Sequence, residues 1–162
     1  MSGLTGLAAL AVAGCGEPTR GEAKERRSST PARSSSNQQA ATMTVYRDAG
    51  CGCCEQWAER ARSAGYRVIV TDSTDMPAIK RELGVPAKLA SCHTAIVGAY
   101  VVEGHVPLDA VRRLVEMRPA GIRGIAVPGM PRGSPGMEMP DGAADAFEVM
   151  AFDNAGRISV FT

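Results

Sequence analysis

Histidine, aromatic residues and long apolar runs are scarce in this sequence, and each scarcity excludes a class of protein. The chain has only two histidines, too few for a metal site built mainly from imidazole ligands. Aromatic residues make up 4% of the chain, which disfavours a platform for stacked nucleic-acid bases. No apolar run reaches the roughly 18 residues that a spanning helix needs. The 18 basic and 17 acidic residues nearly cancel, so we expect no nucleic-acid partner, because such binding needs a clustered basic face.

Sulfur, in contrast, is plentiful. The 162 residues include five cysteines and eight methionines, and 44% of the chain is hydrophobic, enough for a packed core. Thiolate and thioether groups are soft ligands that select copper(I) and similar ions. The composition therefore predicts that any metal bound by this chain is a soft one.

The N-terminal residues have the pattern of a targeting segment. Residues 1–14 are uncharged, small and largely apolar, and Cys15 follows them directly. An apolar stretch of about ten residues is too short to span a membrane and suits the hydrophobic part of a signal peptide. The run 12–15 (VAGC) resembles a bacterial lipobox, although no Lys or Arg precedes it. We expect a lipoprotein signal peptide over 1–14 and lipidation of Cys15; the alternative is a buried N-terminal helix with an ordinary core cysteine.

The next segment has the composition of a linker. Residues 16–42 contain no Val, Ile, Leu, Phe, Tyr, Trp or Met. Such a stretch cannot bury enough apolar area to offset the entropy lost on ordering. We therefore expect a lipidated cysteine and disordered tether over 15–42, followed by a folded domain over 43–162. This layout predicts a domain that is anchored to a membrane through a flexible tether.

From Met43 onward, apolar spacing and turn residues predict alternating strands and helices. The order is β-α-β-α-β-β-α, with a cysteine-rich turn after the first strand, and it resembles the thioredoxin fold. Asp75 is expected to cap the second helix, which has Pro77 in its first turn. The strands are expected over 43–48, 66–71, 94–97 and 100–102, and the helices over 53–64, 75–83 and 107–117.

Residues 118–162 extend beyond a minimal thioredoxin domain. Strands are expected over 122–127, 147–152 and 157–161, and the last two form a hairpin. A loop rich in Pro, Gly and Met occupies 128–141. The fold class is therefore α/β, thioredoxin-like, with a C-terminal β-rich extension and a methionine loop that fold back onto the domain.

The run 51–54 (CGCC) carries the strongest chemical signal. Its three cysteines lie where the first strand turns into the first helix, and the positive end of a helix favours thiolate over thiol. Thiolate is both a nucleophile and a metal ligand. A structural disulfide or simple burial are the alternatives, but a disulfide would leave a third thiol unexplained.

A second sulfur-bearing segment precedes the third strand. In thioredoxin-like folds this position carries a cis-proline that packs against the first-helix turn. Here Cys92 and His93 stand in a segment without proline, which adds two soft or borderline ligands beside the first three. Neighbours leading into a strand can point to opposite faces, so a shared ion is not assumed. Taken by itself, His93 would be interpreted as a polar residue at the start of a strand whose hydrogen bonds are satisfied.

The methionine loop is the third candidate. Met130, Met137 and Met139 lie within ten residues that have no helical or strand periodicity. Thioether binds copper(I) without having to lose a proton. The alternative is that these side chains cover an apolar patch of the domain. His105 is expected to be a surface loop residue without a role.

These three motifs together resemble one family. The runs 46–57 (YRDAGCGCCEQW), 90–107 (ASCHTAIVGAYVVEGHVP) and 124–138 (GIAVPGMPRGSPGME) are similar to CopG-type periplasmic copper-resistance proteins. The resemblance extends from Met43 to Phe161, and it implies a thioredoxin-like fold, periplasmic placement and copper held by cysteines. The expected partners are copper ions and other periplasmic copper-handling proteins.

The resemblance implies thiolate ligands at Cys51, at Cys53 or Cys54 and at Cys92, with His93 as their neighbour. Four thiolates exceed what one copper(I) ion requires, so we expect more than one ion held through bridging sulfur. Zinc is the rival metal, because Cys₄ and Cys₃His sites suit it. A thiol–disulfide oxidoreductase, in which Cys51 attacks and Cys54 resolves, is the rival function. The candidate metal ligands are Cys51, Cys53, Cys54, Cys92, His93, Met130, Met137 and Met139.

Overall fold

The computed structural model describes residues 41–162. The expected signal peptide, the Cys15 lipidation site and the tether as far as residue 40 lie outside these residues. A single mixed sheet and three α-helices make up the described chain. The elements are β1 (Thr42–Arg47), α1 (Gly52–Ser63), β2 (Arg67–Asp72), α2 (Met76–Glu82), a 3₁₀ turn (Ala87–Leu89), β3 (Thr94–Val97), β4 (Tyr100–Glu103), α3 (Leu108–Met117), β5 (Gly124–Ala126), β6 (Met150–Phe152) and β7 (Ile158–Val160).

Seven strands form the sheet in the order β2-β1-β3-β4-β5-β6-β7. The pairs β1–β2 and β4–β5 are parallel, and the other four pairs are antiparallel. The expected α/β class is confirmed, and the C-terminal strands do fold back, because β5 adds directly to β4. None of the helices in the described part of the chain is both long and apolar enough to cross a membrane.

The helices form where local signals and apolar spacing agree. In α1 the buried positions recur every three or four residues, which places Cys54, Trp57 and Ala61 on one face against the sheet. The side chain of Asp75 accepts a hydrogen bond from the Ala78 N–H at 2.9 Å, so the expected cap of α2 is confirmed. α3 buries Ala110, Val111 and Leu114. The last strands are shorter than expected, at three residues each.

The strand directions bring four loops to one edge of the sheet. β3 begins where the antiparallel β1 ends, since Thr94 pairs with Tyr46. β4 ends beside the start of β3, since Glu103 pairs with Thr94, and the parallel β5 ends at the same level, since Ala126 pairs with Glu103. The segments after β1, before β3, after β4 and after β5 therefore meet, and all three predicted motifs lie among them.

Candidate metal centre

The first three cysteines surround the start of α1. Cys51 is the N-cap residue of this helix, with an extended backbone, and no side chain caps the helix there. Cys53 lies in the first turn, and Cys54 faces the core and is fully buried. The free backbone N–H groups of a helix start favour negative charge nearby, so this position suits anionic metal ligands.

Cys51 and Cys54 are joined by a disulfide, with their Cα atoms 5.3 Å apart. The Sγ of Cys53 remains a free thiol and lies 3.6 Å from the Sγ of Cys51. The structure therefore shows an oxidised state, in which the CxxC pair is bonded and one thiol of the turn is left over. A two-electron reduction would release two more thiols beside it.

Cys92 approaches this turn from the segment before β3. One ligand atom from each of Cys51, Cys53, Cys54 and Cys92 lies within 4.8 Å of the others. The expected meeting of the two segments is thus confirmed, although 41 positions separate Cys51 from Cys92 in the chain. Burial raises the pKa of the Cys92 thiol to about 12, and the neighbouring Cys53 adds to the rise. Cys92 is therefore a neutral thiol at pH 7 and would lose its proton on binding a metal.

His93 is completely buried next to Cys92. Its Nδ1 atom lies 3.3 Å from the Sγ of Cys92, so the two neighbours do contact each other. Its ring packs against Trp57 with the ring centres 4.7 Å apart. The Nε2 atom of His93 has no hydrogen-bond partner among the described residues. A buried nitrogen without a partner is unusual in a protein core, and it leaves one donor atom available to a ligand.

The expectation that His105 is a surface loop residue is wrong. His105 is fully buried, and its Nε2 atom lies 3.0 Å from the Sγ of Cys92. The hairpin explains this position, because extending the Thr94–Glu103 pairing by two residues puts Cys92 opposite His105. The sequence therefore contained a signal for this contact. It becomes visible only when the residue pairing of the predicted β3–β4 hairpin is extended by two residues beyond the ends of the strands.

The hydrogen bonds of His105 define its tautomer. Its Nδ1 atom lies 2.8 Å from the carbonyl oxygen of Pro135, and a carbonyl can only accept, so Nδ1 carries the proton. Burial lowers the pKa of His105, so the ring is neutral and Nε2 presents its lone pair to Cys92. Metal-binding histidines are commonly held in this way by a carbonyl on the other ring nitrogen.

The methionine loop crosses the site with its backbone. A Cβ atom on Gly136 would lie 2.8 Å from the backbone nitrogen of Trp57 and 2.9 Å from the backbone carbonyl oxygen of Cys53. Only glycine therefore permits this close approach to α1. The Arg60 guanidinium pairs with the Glu138 carboxylate at 2.8 Å. The loop therefore covers the start of α1 and supplies the carbonyl that orients His105.

The methionine side chains themselves are more open than the cysteines. Met130 is 54% exposed and Met139 is 38% exposed, whereas Met137 is half-buried. Met130 lines a surface groove of about 460 Å³ together with Phe147 and Met150. The role of Met130, Met137 and Met139 as metal ligands stays a prediction.

The assembled donor set is mainly sulfur with some imidazole. Besides the four cysteines, ligand atoms of Cys92, His93 and His105 also lie within 4.8 Å of one another. Sulfur donors with neutral imidazole suit copper(I) and zinc, and the unpartnered nitrogen of His93 leaves the set chemically incomplete. The residues present therefore fit a soft or borderline metal.

Acidification is expected to destabilise the oxidised protein below about pH 6.5. Burial first, then His105 and Lys80, lower the pKa of His93 well below 6.5, and the pKa of His105 is also lowered. The unfolded chain then binds more protons than the folded one. The free energy of unfolding therefore decreases as the pH is lowered, by up to about 1.4 kcal/mol per pH unit for each histidine. Denaturant unfolding at pH 7.5 and 5.5 measures this loss.

His93→Phe is the control for this pH dependence, since it removes one titrating ring while filling similar space. Its loss of stability between the two pH values should be smaller than that of the wild type. The raised pKa of the buried Glu103 acts in the opposite direction, but it is common to both proteins and cancels in the comparison. An equal loss of stability in the two proteins would show that protonation of His93 does not cause the pH dependence.

A family model matches the middle of the described chain. A family described as "Protein of unknown function, DUF411" matches residues 89–137, which contain Cys92, both histidines and two loop methionines. No curated protein matches the chain.

Two solved structures are similar over almost their whole length. They are titled "Copper resistance protein copG", in Form 1 and Form 2, and each is 43% identical to this chain. Each match covers 75% of this chain; it covers 95% of the Form 1 chain with a TM-score of 0.70, and 96% of the Form 2 chain with a TM-score of 0.71. The chain belongs to the CopG family of copper-resistance proteins.

Proposed function

We propose that this protein binds copper(I) in a bacterial copper-resistance system, through the four clustered cysteines. The observation that carries the proposal is the convergence of Cys51, Cys53, Cys54 and Cys92, whose ligand atoms lie within 4.8 Å of one another. Thiolates are the ligands that copper(I) prefers. The copper-resistance name of two similar structures supports copper as the metal rather than zinc.

The reduced protein is the form that would bind copper. Reduction of the Cys51–Cys54 disulfide takes up two electrons and two protons and gives four thiols in place of two. Four thiolates exceed the needs of one copper(I) ion, so sulfur atoms that bridge two metals would hold more than one. His93 and His105 would complete the donor set from the inner side, and the backbone of the methionine loop would keep water out.

Redox coupling is a natural extension of this proposal. Oxidation of two copper(I) ions to copper(II) releases two electrons, which is the number that one disulfide accepts. The Cys51–Cys54 disulfide also supports the alternative function, a thiol–disulfide oxidoreductase that uses this pair. That alternative leaves Cys53, Cys92 and both histidines without a task, and it places Cys-His where such enzymes carry a cis-proline. We therefore favour copper binding.

The strand arrangement supports a thioredoxin-like fold for the first part of the domain. The order β2-β1-β3-β4, with β1 and β2 parallel and β3 antiparallel to both of its neighbours, is the arrangement expected of that fold. β5 to β7 would then be an added extension, and its loop contributes to the site.

A copper(I) titration under anaerobic, reducing conditions tests the function. A chain carrying Cys15→Ser has only the four clustered cysteines and should bind more than one copper(I) ion, with release of thiol protons. Its affinity should rise with pH, because the Cys92 thiol has a raised pKa and must lose its proton. A chain that binds no copper, or that prefers a single zinc ion, would contradict the proposal.

We further propose that the protein is a periplasmic lipoprotein, anchored through Cys15. Each buried methylene of a lipid chain contributes about 0.8 kcal/mol, so two or more chains hold a protein stably at a membrane. Cys15→Ala should move the protein from the membrane fraction to the soluble fraction while leaving the copper content unchanged. Wild-type protein in the soluble fraction with an unmodified Cys15 would contradict the anchor but not the copper site.

A further inference from the structure

A buried ion pair lies beside the sulfur cluster. Glu103, the last residue of β4, is fully buried, and its Oε1 atom lies 2.6 Å from the Nζ of Lys80 on α2. The carboxylate accepts two further hydrogen bonds at 2.6 Å, from the Thr94 hydroxyl and from the Ser91 backbone N–H. Both oxygens of this buried charge therefore have partners.

Such a pair is an expensive way to stabilise a fold. Removing two charges from water costs several kcal/mol, and apolar residues of similar size are often at least as stabilising. The contacts of the Glu103 carboxylate indicate a more specific role. One of its oxygens holds the Ser91 N–H, which belongs to the residue directly before Cys92.

Apart from the side-chain contacts of Cys92 with His105 and of His93 with Trp57, the segment that carries Cys92 has few other anchors. It precedes the β1–β3 ladder, which begins at Thr94. The Gly104 N–H donates to the His93 carbonyl at 2.9 Å, and the Ser91 hydroxyl donates to the Gly129 carbonyl. Glu103 is the charged group among these anchors, and hydrogen bonds to charged groups are the stronger ones.

We propose that Glu103, paired with Lys80, is the residue that positions Cys92. By holding the Ser91 N–H, its carboxylate fixes the Cys92 thiol opposite the three cysteines at the start of α1. The importance of this position for copper rests on the function proposed above, but the position itself is measurable without copper. Sites of this kind require their ligands to be held within about 0.5 Å.

The experiment measures how close two thiols are held. In a full chain carrying Cys15→Ser, Cys51→Ser and Cys54→Ser, only Cys53 and Cys92 remain. These two thiols can form a disulfide, and the equilibrium of that reaction is measured in mixtures of reduced and oxidised glutathione. The equilibrium constant gives the effective concentration of one thiol at the other. This quantity depends on the placement of the Cys92 segment and needs no metal.

Two conservative variants separate position from charge. Glu103→Gln keeps an oxygen at the same reach, so it still accepts from Ser91 while its amide donates to Thr94. Glu103→Asp keeps the charge but withdraws the oxygen by one methylene. The effective concentration should stay within about threefold of the wild-type value in the glutamine variant. It should fall about tenfold or more in the aspartate variant, as expected for the loss of a hydrogen bond to a charged acceptor.

Val111→Ala is the matched control for stability, because it leaves a cavity in the apolar core and removes no hydrogen bond of the Cys92 segment. It should leave the effective concentration unchanged. An unchanged value for Glu103→Asp, or an equal fall for Val111→Ala, would overturn the positioning role. Copper content should fall in Glu103→Asp and persist in Glu103→Gln when the other cysteines are intact. If the wild type binds no copper, the proposed function fails, while the thiol measurement still decides the role of Glu103.

Discussion

Cys92→Ser should lower copper binding as severely as Cys51→Ser does. In the reduced protein we expect both substitutions to weaken copper(I) binding more than 100-fold, because loss of a direct ligand should exceed the roughly 10- to 100-fold effect of changing an outer-shell partner. The two residues are 41 positions apart, yet their sulfur atoms lie within 4.8 Å. Serine retains the size of cysteine but offers a hard oxygen in place of a soft thiolate.

Competition with a chromophoric copper(I) chelator, under anaerobic and reducing conditions, measures this effect. Cys15→Ser is the matched control, since it removes a cysteine that belongs to no cluster in the proposed site, and its copper affinity should equal that of the wild type. Unchanged affinity in Cys92→Ser would place the metal elsewhere. The residues 51–54 alone would then have to supply the ligands.

Oxidation should abolish most of the copper binding. In the state with the Cys51–Cys54 disulfide, two of the four sulfur donors are bonded to each other and can no longer act as thiolates. We expect the oxidised protein to bind copper(I) more than 100-fold more weakly than the reduced protein, and reduction to restore the affinity. Thiol counting should give two more free thiols after reduction, and chelator competition on both forms gives the affinities.

The double variant Cys51→Ser/Cys54→Ser is the control for this redox effect. It has no CxxC disulfide to form, so its affinity under reducing conditions should be about as low as that of the oxidised wild type. Equal affinities of the oxidised and reduced wild type would contradict a site that uses these two sulfur atoms. Copper would then be held by Cys53, Cys92 and the histidines.

Local signals predicted the elements that build the site. Asp75 caps α2 as expected, and α1 begins directly after Cys51, because both depend on residues only a few positions apart. The hairpin of β3 and β4 around Gly98 followed from its turn residue and apolar strands. From β1 to α3, no element end differs from the predicted end by more than one residue. The terminal strands shrank further, since edge pairing depends on neighbours that local spacing does not describe.

His105 marks where local interpretation failed. In the sequence it follows Gly104 and precedes Pro107, a pattern typical of a surface loop. In the structure, Trp57 donates a hydrogen bond to the Val106 carbonyl at 2.9 Å, and the methionine loop covers the histidine through Pro135. Both partners come from distant parts of the chain, so the spacing around His105 contains no trace of them.

The sequence by itself determined the chemistry of this protein: a sulfur-rich donor set, three cysteines at a strand-to-helix turn, and a fourth next to a histidine before a strand. Only the tertiary structure decided which donors meet. β3 runs antiparallel to β1 and β4, and β5 runs parallel to β4, so four distant loops end at one edge of the sheet. Strand direction and order are set by packing over the whole sheet. Together with the hairpin register and the methionine loop, they bury His105 against Cys92 and place the Glu103 carboxylate on Ser91.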